Sequence, residues 1–150
     1  MSIRYGLEIR AASNIEAQDL AELLGLAGHA VSPGDLGSRL EEMGRGKGAA
    51  LVALQWGPPS GLVVLHWYQT LTAAQPTAQI TMLFVAPDER RKGIGRMLLK
   101  AASQAARVAG CGTLAIIAAE PAAELHGFCR ATGFTGTGTY LARTLRKRNP

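Results

Sequence analysis

One segment of the chain has residue types and spacing that could do chemistry: Val85-Ala86-Pro87-Asp88-Glu89-Arg90-Arg91-Lys92-Gly93-Ile94-Gly95. An apolar run ends at Val85, Pro87 stops it, and helical spacing starts at Gly93. Glycines at 93 and 95 allow positive φ and let a ligand approach the main chain closely. The first turn of a helix leaves N–H groups without intrahelical acceptors, and its dipole is positive at that end. With three consecutive cations added, the segment reads as a cradle for a diphosphate. Three cations at a helix N-terminus oppose the dipole, and a bound anion removes that cost. The competing reading is an ordinary basic turn. A dinucleotide fingerprint needs Gly-x-Gly-x-x-Gly after the first strand of a βαβ unit, and a P-loop needs Gly-Lys-Ser/Thr; the segment has neither.

The elements that must position this cradle follow from the pattern on either side. Leu7–Ala11 reads as a strand. Ser13 and Glu16 make a capping box for a helix that carries Leu20, Leu23, Leu24 and Ala27 and ends at Gly28. Ser32-Pro33 opens a second helix with Leu36, Leu40 and Met43 as its stripe. Ala49–Gln55, Leu62–Gln69 and Ala78–Val85 form an antiparallel meander with short connections. Gly93–Ala109 is a helix with Ile94, Met97, Leu98, Ala101, Ala105 and Val108 expected on its buried face. Thr113–Ala119 is a strand buried on both sides. Pro121–Thr132 is a helix burying Leu125, Phe128 and Cys129, and Gly138–Leu145 a last strand. The order is β-α-α-β-β-β-α-β-α-β. The fold class is α/β (α+β), a mixed, mostly antiparallel central sheet flanked by helices, in one domain spanning residues 1–150.

Composition narrows the function. The chain has 150 residues, 47% hydrophobic and 18% charged, which suits a globular domain with its own core. No apolar run is long enough for a membrane helix, and the N-terminus lacks a signal-peptide core. Cys111 and Cys129 make neither a disulfide framework nor a metal set, so a reducing cytoplasm and no metal are expected. Residues 1–89 carry a net charge of −4 and residues 90–150 a net of +9. The second half should attract an anion and the first should favour a cation. Aromatic content is 5%, with no stacking cluster and no helix-turn-helix, so no nucleic-acid partner is expected.

Arg90-x-x-Gly93-x-Gly95 after a strand ending Val85-x-Pro87 resembles the coenzyme A signature of the GNAT N-acetyltransferases. Phe128-Cys129-x-x-x-Gly133-Phe134 resembles that family's second block. The likeness is strongest over Ile80–Phe134, and the element order agrees with it. It implies acetyl-CoA or coenzyme A as co-substrate, without metal. It implies that backbone groups of Leu83, Phe84 and Val85 pair with the pantetheine arm as an added strand. Backbone N–H groups of Arg91, Lys92, Gly93, Ile94, Gly95 and Arg96 would hold the pyrophosphate, with Arg90 opening the signature and Phe128 joining the cofactor contacts. The reaction implied is direct attack by a primary amine on the acyl thioester, without a covalent enzyme intermediate.

Two family features are missing. The Tyr that often follows Phe128 and protonates the departing thiolate is replaced by Cys129, which is either packing or a substitute acid. An Asn common near the start of that helix gives way to Ala122 and Ala123. Glu120 is the first candidate for the general base, with Glu124, His126 or a water chain as rivals. His29, His66, Tyr140 and one of Trp67 and Tyr68 could line the acceptor side, together with the loops His29–Gly34 and Thr70–Thr77. The acceptor expected is a small-molecule amine, possibly cationic, with a peptide or protein amine or a catalytically weakened coenzyme A-binding module as alternatives. A monomer and a homodimer are both open.

Overall fold

The computed structural model describes residues 2–4, 6–117, 123–136 and 140–145, which fall in two compact units, 1–116 and 117–150. The first unit is a six-stranded sheet whose strands lie in chain order: β1 (Ser2–Arg4), β2 (Leu7–Ala11), β3 (Gly48–Leu54), β4 (Gly61–Tyr68), β5 (Thr77–Val85) and β6 (Thr113–Ile116). Neighbouring strands are antiparallel except β5 and β6, which are parallel. A parallel pair needs a crossover, and helix α3 (Ile94–Val108) supplies it.

Two further helices, α1 (Ala17–Leu26) and α2 (Pro33–Arg45), cover one face of the sheet. Leu20, Leu23 and Leu24 of α1 meet Ala50, Val52 and Leu62 there, with Leu36, Leu40 and Met43 of α2 closing the edge. Both caps act as the pattern predicts. Ser13 Oγ accepts from the Ile15 N–H and Glu16 Oε1 accepts from the Ser13 N–H at 3.0 Å, although the box caps a short 3-10 turn that leads into α1. Ser32 Oγ accepts from the Asp35 N–H at 3.1 Å, with Pro33 in the first turn. Beyond α1, the His29 N–H reaches back to Leu24 O at 2.8 Å while Gly28 sits at φ +90°.

The opposite face packs against α3. Successive strand residues point to opposite faces, so Leu62 serves the first helix layer and Gly61 the second. A Cβ on Gly61 would lie 2.9 Å from Leu98 Cδ1, 3.1 Å from the Phe84 carbonyl and 3.3 Å from Ile94 Cγ2. The glycine therefore sets how closely α3 approaches β4. Leu98 is fully buried, and the Phe84 carbonyl is main chain of the neighbouring strand. Gly61→Ala is expected to destabilise the protein by about 1–3 kcal/mol, the usual cost of overpacking, read as a melting temperature several degrees lower.

Three expectations need correction. β1 was not anticipated: three residues are too few to show a period, yet Gly6 at φ +79° turns the chain back and pairs Arg4 with Leu7. The buried arc of α3 is Ile94, Leu98, Leu99, Ala102 and Ala106, while Val108 is 79% exposed. At 100° per residue this arc is rotated roughly a quarter turn from the expected one. The expected last strand begins outside the described residues, and residues 140–145 pair with no strand among the described ones. Tyr140, Leu141 and Leu145 there are exposed.

In the second unit, α4 (Ala123–Ala131) is closed by Gly133 at φ +96°, with the Phe134 N–H bonded to Cys129 O at 2.9 Å. This is the expected glycine stop. Cys129 is buried, and Leu125 and Phe128 are half-buried. Pro121 and Ala122 lie outside the described residues. Among the described residues no helix is long and apolar enough to cross a membrane.

Candidate functional site

The site is built on β5 and on the loop that carries it into α3. In the ladder with β4, Val64 faces Met82 and Leu65 faces Ile80, so Thr81 is an extra residue, a β-bulge. The parallel ladder with β6 covers Thr77 to Ile80 and ends there. Past Ile80, no strand among the described residues pairs with that side of β5. On that side the backbone donors and acceptors of Thr81–Val85 have no ladder partner among the described residues. Burial changes at the same point: Ile80 is fully buried, Thr81 is exposed, and Met82, Leu83, Phe84 and Val85 are half-buried.

The edge leads directly into the glycine loop. The Ala86 N–H bonds to Ser60 O at 2.8 Å, which fixes the exit of β5 against the start of β4. Pro87–Glu89 forms a 3-10 turn, and Arg90 is extended. Arg91 then takes φ +67°, unlike every other non-glycine residue among those described. This costs about 1–2 kcal/mol, since a left-handed backbone crowds the Cβ. Gly93 follows at φ +80° as N-cap of α3, without a side-chain cap and with no acidic residue in the first turn. By contrast, α2 has a side-chain cap and both α1 and α2 carry an acidic residue in the first turn. The N–H groups at the start of α3 thus lack the side-chain acceptor that α2 supplies. A Cβ on Gly93 would meet nothing within 4 Å, so the space in front of the loop is open.

The three cations behave differently from one another. Arg90 folds back, its Nε donating to Val85 O at 3.2 Å and its guanidinium lying 5.6 Å from the centre of the Phe84 ring. Lys92 pairs with Glu89 at 3.0 Å. Both partners are exposed enough that the pair contributes at most about 1 kcal/mol. Arg91, at the positive-φ position, and Arg96, in the first turn of α3, are exposed. Ile94 is different: its side chain belongs to the core beneath Gly61, leaving only its backbone for the loop.

The candidate catalytic and acceptor-side residues fall in both units and partly outside the described residues. Glu120 lies outside the described residues. On α4, Cys129 is 7% exposed. Burial pushes its thiol above the ordinary range, and the neighbouring Arg130 charge opposes that rise. Its thiol is therefore protonated at neutral pH. Glu124 is exposed and His126 half-buried. His29 is exposed beyond α1, and Tyr140 is exposed in the second unit. On β4, His66 and Tyr68 lie on the α1–α2 face, and the Tyr68 hydroxyl is hydrogen-bonded to Gln79 Oε1 at 3.2 Å. Trp67 takes the α3 face. Tyr68 pairs with Thr77, at the end of β4 opposite the Gly61–Val85 pair. Seven residues of strand, roughly 23 Å, separate the two ends. Among the described residues, no cluster of three His, Cys, Asp or Glu side chains could hold a metal.

Sequence reasoning missed Gly61, the Thr81 bulge and the Glu89–Lys92 pair. Gly61 follows Gly57-Pro58-Pro59-Ser60, whose composition signals a turn and nothing more. Thr81 carries no signal, being an ordinary strand residue.

A profile of the acetyltransferase (GNAT) family matches residues 16–134. No curated protein matches the chain. Solved structures share the fold. An acetyltransferase of Trypanosoma brucei has a TM-score of 0.80 at 21% identity, covering 93% of this chain and 99% of its own. Glucosamine-6-phosphate N-acetyltransferase of Arabidopsis thaliana has 0.81 at 16%, covering 93% and 99%. An aminoglycoside N-acetyltransferase in complex with CoA has 0.79 at 19%, covering 93% and 95%. The chain belongs to the acetyltransferase (GNAT) family, whose members take their acetyl group from acetyl-CoA.

Proposed function

We propose that the whole chain is one catalytic domain moving an acetyl group from acetyl-CoA to a primary amine of a small, cationic acceptor. The observation that carries this is the open edge of β5, past Thr81, running straight into the uncapped start of α3. An extended amide-bearing arm pairs with backbone groups of Leu83, Phe84 and Val85, as an added strand does. A pyrophosphate at the arm's end meets the N–H groups of Arg91, Lys92, Gly93, Ile94, Gly95 and Arg96. Arg91 and Arg96 are exposed there. Displacing Arg90 and Lys92 from weak surface contacts costs little. Phe128 completes the cofactor contacts.

The amine nitrogen attacks the thioester carbonyl, the carbon–sulfur bond breaks, and an amide and free coenzyme A result. A backbone N–H near Leu83–Val85 stabilises the developing oxyanion. Glu120 takes the proton that the amine loses. Cys129, held as a protonated thiol, returns one to the departing sulfur. The acidic balance of residues 1–89 supports a cationic acceptor. Two of the related folds act on aminoglycosides and glucosamine-6-phosphate, both small amines. The protein works in the cytoplasm as a monomer or homodimer.

The test is release of coenzyme A thiol from acetyl-CoA across aminoglycosides, hexosamine phosphates, polyamines and peptide amines. Turnover is expected on a small cationic amine, falling at least about 100-fold in Glu120→Gln, the usual scale of general acid–base help. Preference for peptide N-termini would move the acceptor to proteins. Tight acetyl-CoA binding without turnover on any amine would leave a coenzyme A-binding module, the reading that the buried Cys129 favours.

A further inference from the structure

The apolar surface of α3 is wider than the sheet beneath it. Ile94, Leu98, Leu99, Ala102 and Ala106 fill the core, but Ala101, Ala105 and Val108 form a second arc beside them. That arc is one wall of a groove of about 780 Å³ whose floor is Ile9, Leu51 and Trp67. Its outer rim carries Lys100, Gln104 and Arg107, spaced so that all three lie along one side of the helix. Among the described residues the lining contains no carboxylate. Arg10 also touches the groove but is committed to Glu16 at 3.2 Å. Lys100 and Arg107 make no ion pair among the described residues.

We propose that this groove binds an elongated apolar ligand with an anionic head, such as a medium-chain carboxylate. Its volume falls in the ~300–1,000 Å³ range of small-molecule sites. From Lys100 to Val108 the helix advances about 12 Å, so the wall suits an extended hydrocarbon chain rather than a compact ring. Two cations without acidic neighbours among the described residues select the sign of the head group, while the alanines, Val108 and the Trp67 ring cover the tail. The groove does not overlap the glycine loop. It occupies the C-terminal half of α3, and the loop precedes Ile94. Occupancy is therefore independent of acetyl-CoA, and the inference stands apart from the proposed activity.

The chain has two tryptophans, so Trp56→Phe leaves Trp67 as the sole emitter. Trp56 is 83% exposed in a hairpin turn, and its replacement leaves the core untouched. Titrating the full chain with decanoate below its micelle concentration should shift Trp67 emission saturably, with or without saturating acetyl-CoA. Decylammonium should give no saturable shift. Lys100→Glu/Arg107→Glu in the same background should weaken decanoate binding at least tenfold. Both sites lie on the exposed side of α3, and circular dichroism verifies the helix. Val108→Ser, which leaves the charges intact, should weaken it several-fold. No saturable response, an equal response to decylammonium, affinity unchanged by the charge reversal, or displacement by acetyl-CoA would each overturn the proposal.

Discussion

Gly93→Val is expected to weaken acetyl-CoA binding at least about 100-fold while the far-ultraviolet dichroism stays that of the parent. The two effects separate because of what surrounds the residue. A new Cβ meets nothing within 4 Å, so the core is not disturbed. The backbone, however, sits at φ +80°, where a β-branched residue costs roughly 1–3 kcal/mol. The cheapest relief is to rotate the loop out of that conformation. Doing so turns away the N–H groups of Gly93 and Ile94. Hydrogen bonds to a charged group contribute about 1.5–3 kcal/mol each, so losing two reaches the stated factor. Calorimetry reads the affinity, and a dissociation constant equal to the parent's would remove the loop from the cofactor site. Gly93→Asn refines the result, since Asn adopts positive φ more readily than other side chains. It should melt closer to the parent than the valine variant, yet bind more weakly than glycine.

The second large effect lies away from the cofactor. Glu16 is 4% exposed, and Arg10 donates to both its carboxylate oxygens, at 3.3 and 3.2 Å. The Ser13 N–H and Oγ contact the same carboxylate. Removing one partner of a buried pair leaves an uncompensated charge, typically at a cost of 3–5 kcal/mol. Arg10 is about one-third exposed. Water therefore reaches its side of the pair, and Arg10→Ala should cost nearer 2–3 kcal/mol. At about 2–4 °C per kcal/mol for a chain of this length, the melt should drop by roughly 5–10 °C. Arg10→Met/Glu16→Leu should recover most of it, because two apolar groups leave no charge behind. A double variant as unstable as Arg10→Ala would instead mean that the capping contacts to Ser13 carry the stability.

The parts of this molecule that could be read in advance are those governed by local chemistry. Ser13 with Glu16, Ser32 with Pro33, and the glycine stops at 28 and 133 act through hydrogen bonds within a few residues. The cradle was legible for the same reason: its glycines, its cations and the helix start are contiguous. What failed depends on partners distant in the chain. The arc of α3 was misjudged because alanine is compatible with both core and groove, and only the sheet decides between them. The strand expected at 138–145 begins outside the described residues, and 140–145 pair with none of the described strands. Gly61 looked like one turn residue among several, and its contact with Leu98 lies 37 positions away. Glu120 and Cys129 lie 35 or more positions beyond Val85 in the chain, and no spacing rule connects them to the β5 edge.

The Thr81 bulge leaves the facing of the core side chains unchanged. Ile80 points to the α3 face and Met82 to the α1–α2 face, as their partners Leu65 and Val64 do. Neighbours in an uninterrupted strand also point to opposite faces. Removing Thr81 would therefore leave every buried side chain on its present side. The inserted residue contributes nothing to the hydrophobic pattern, and its effect is confined to the path of the backbone. The feature can be gained or lost by a single codon without rewriting the core.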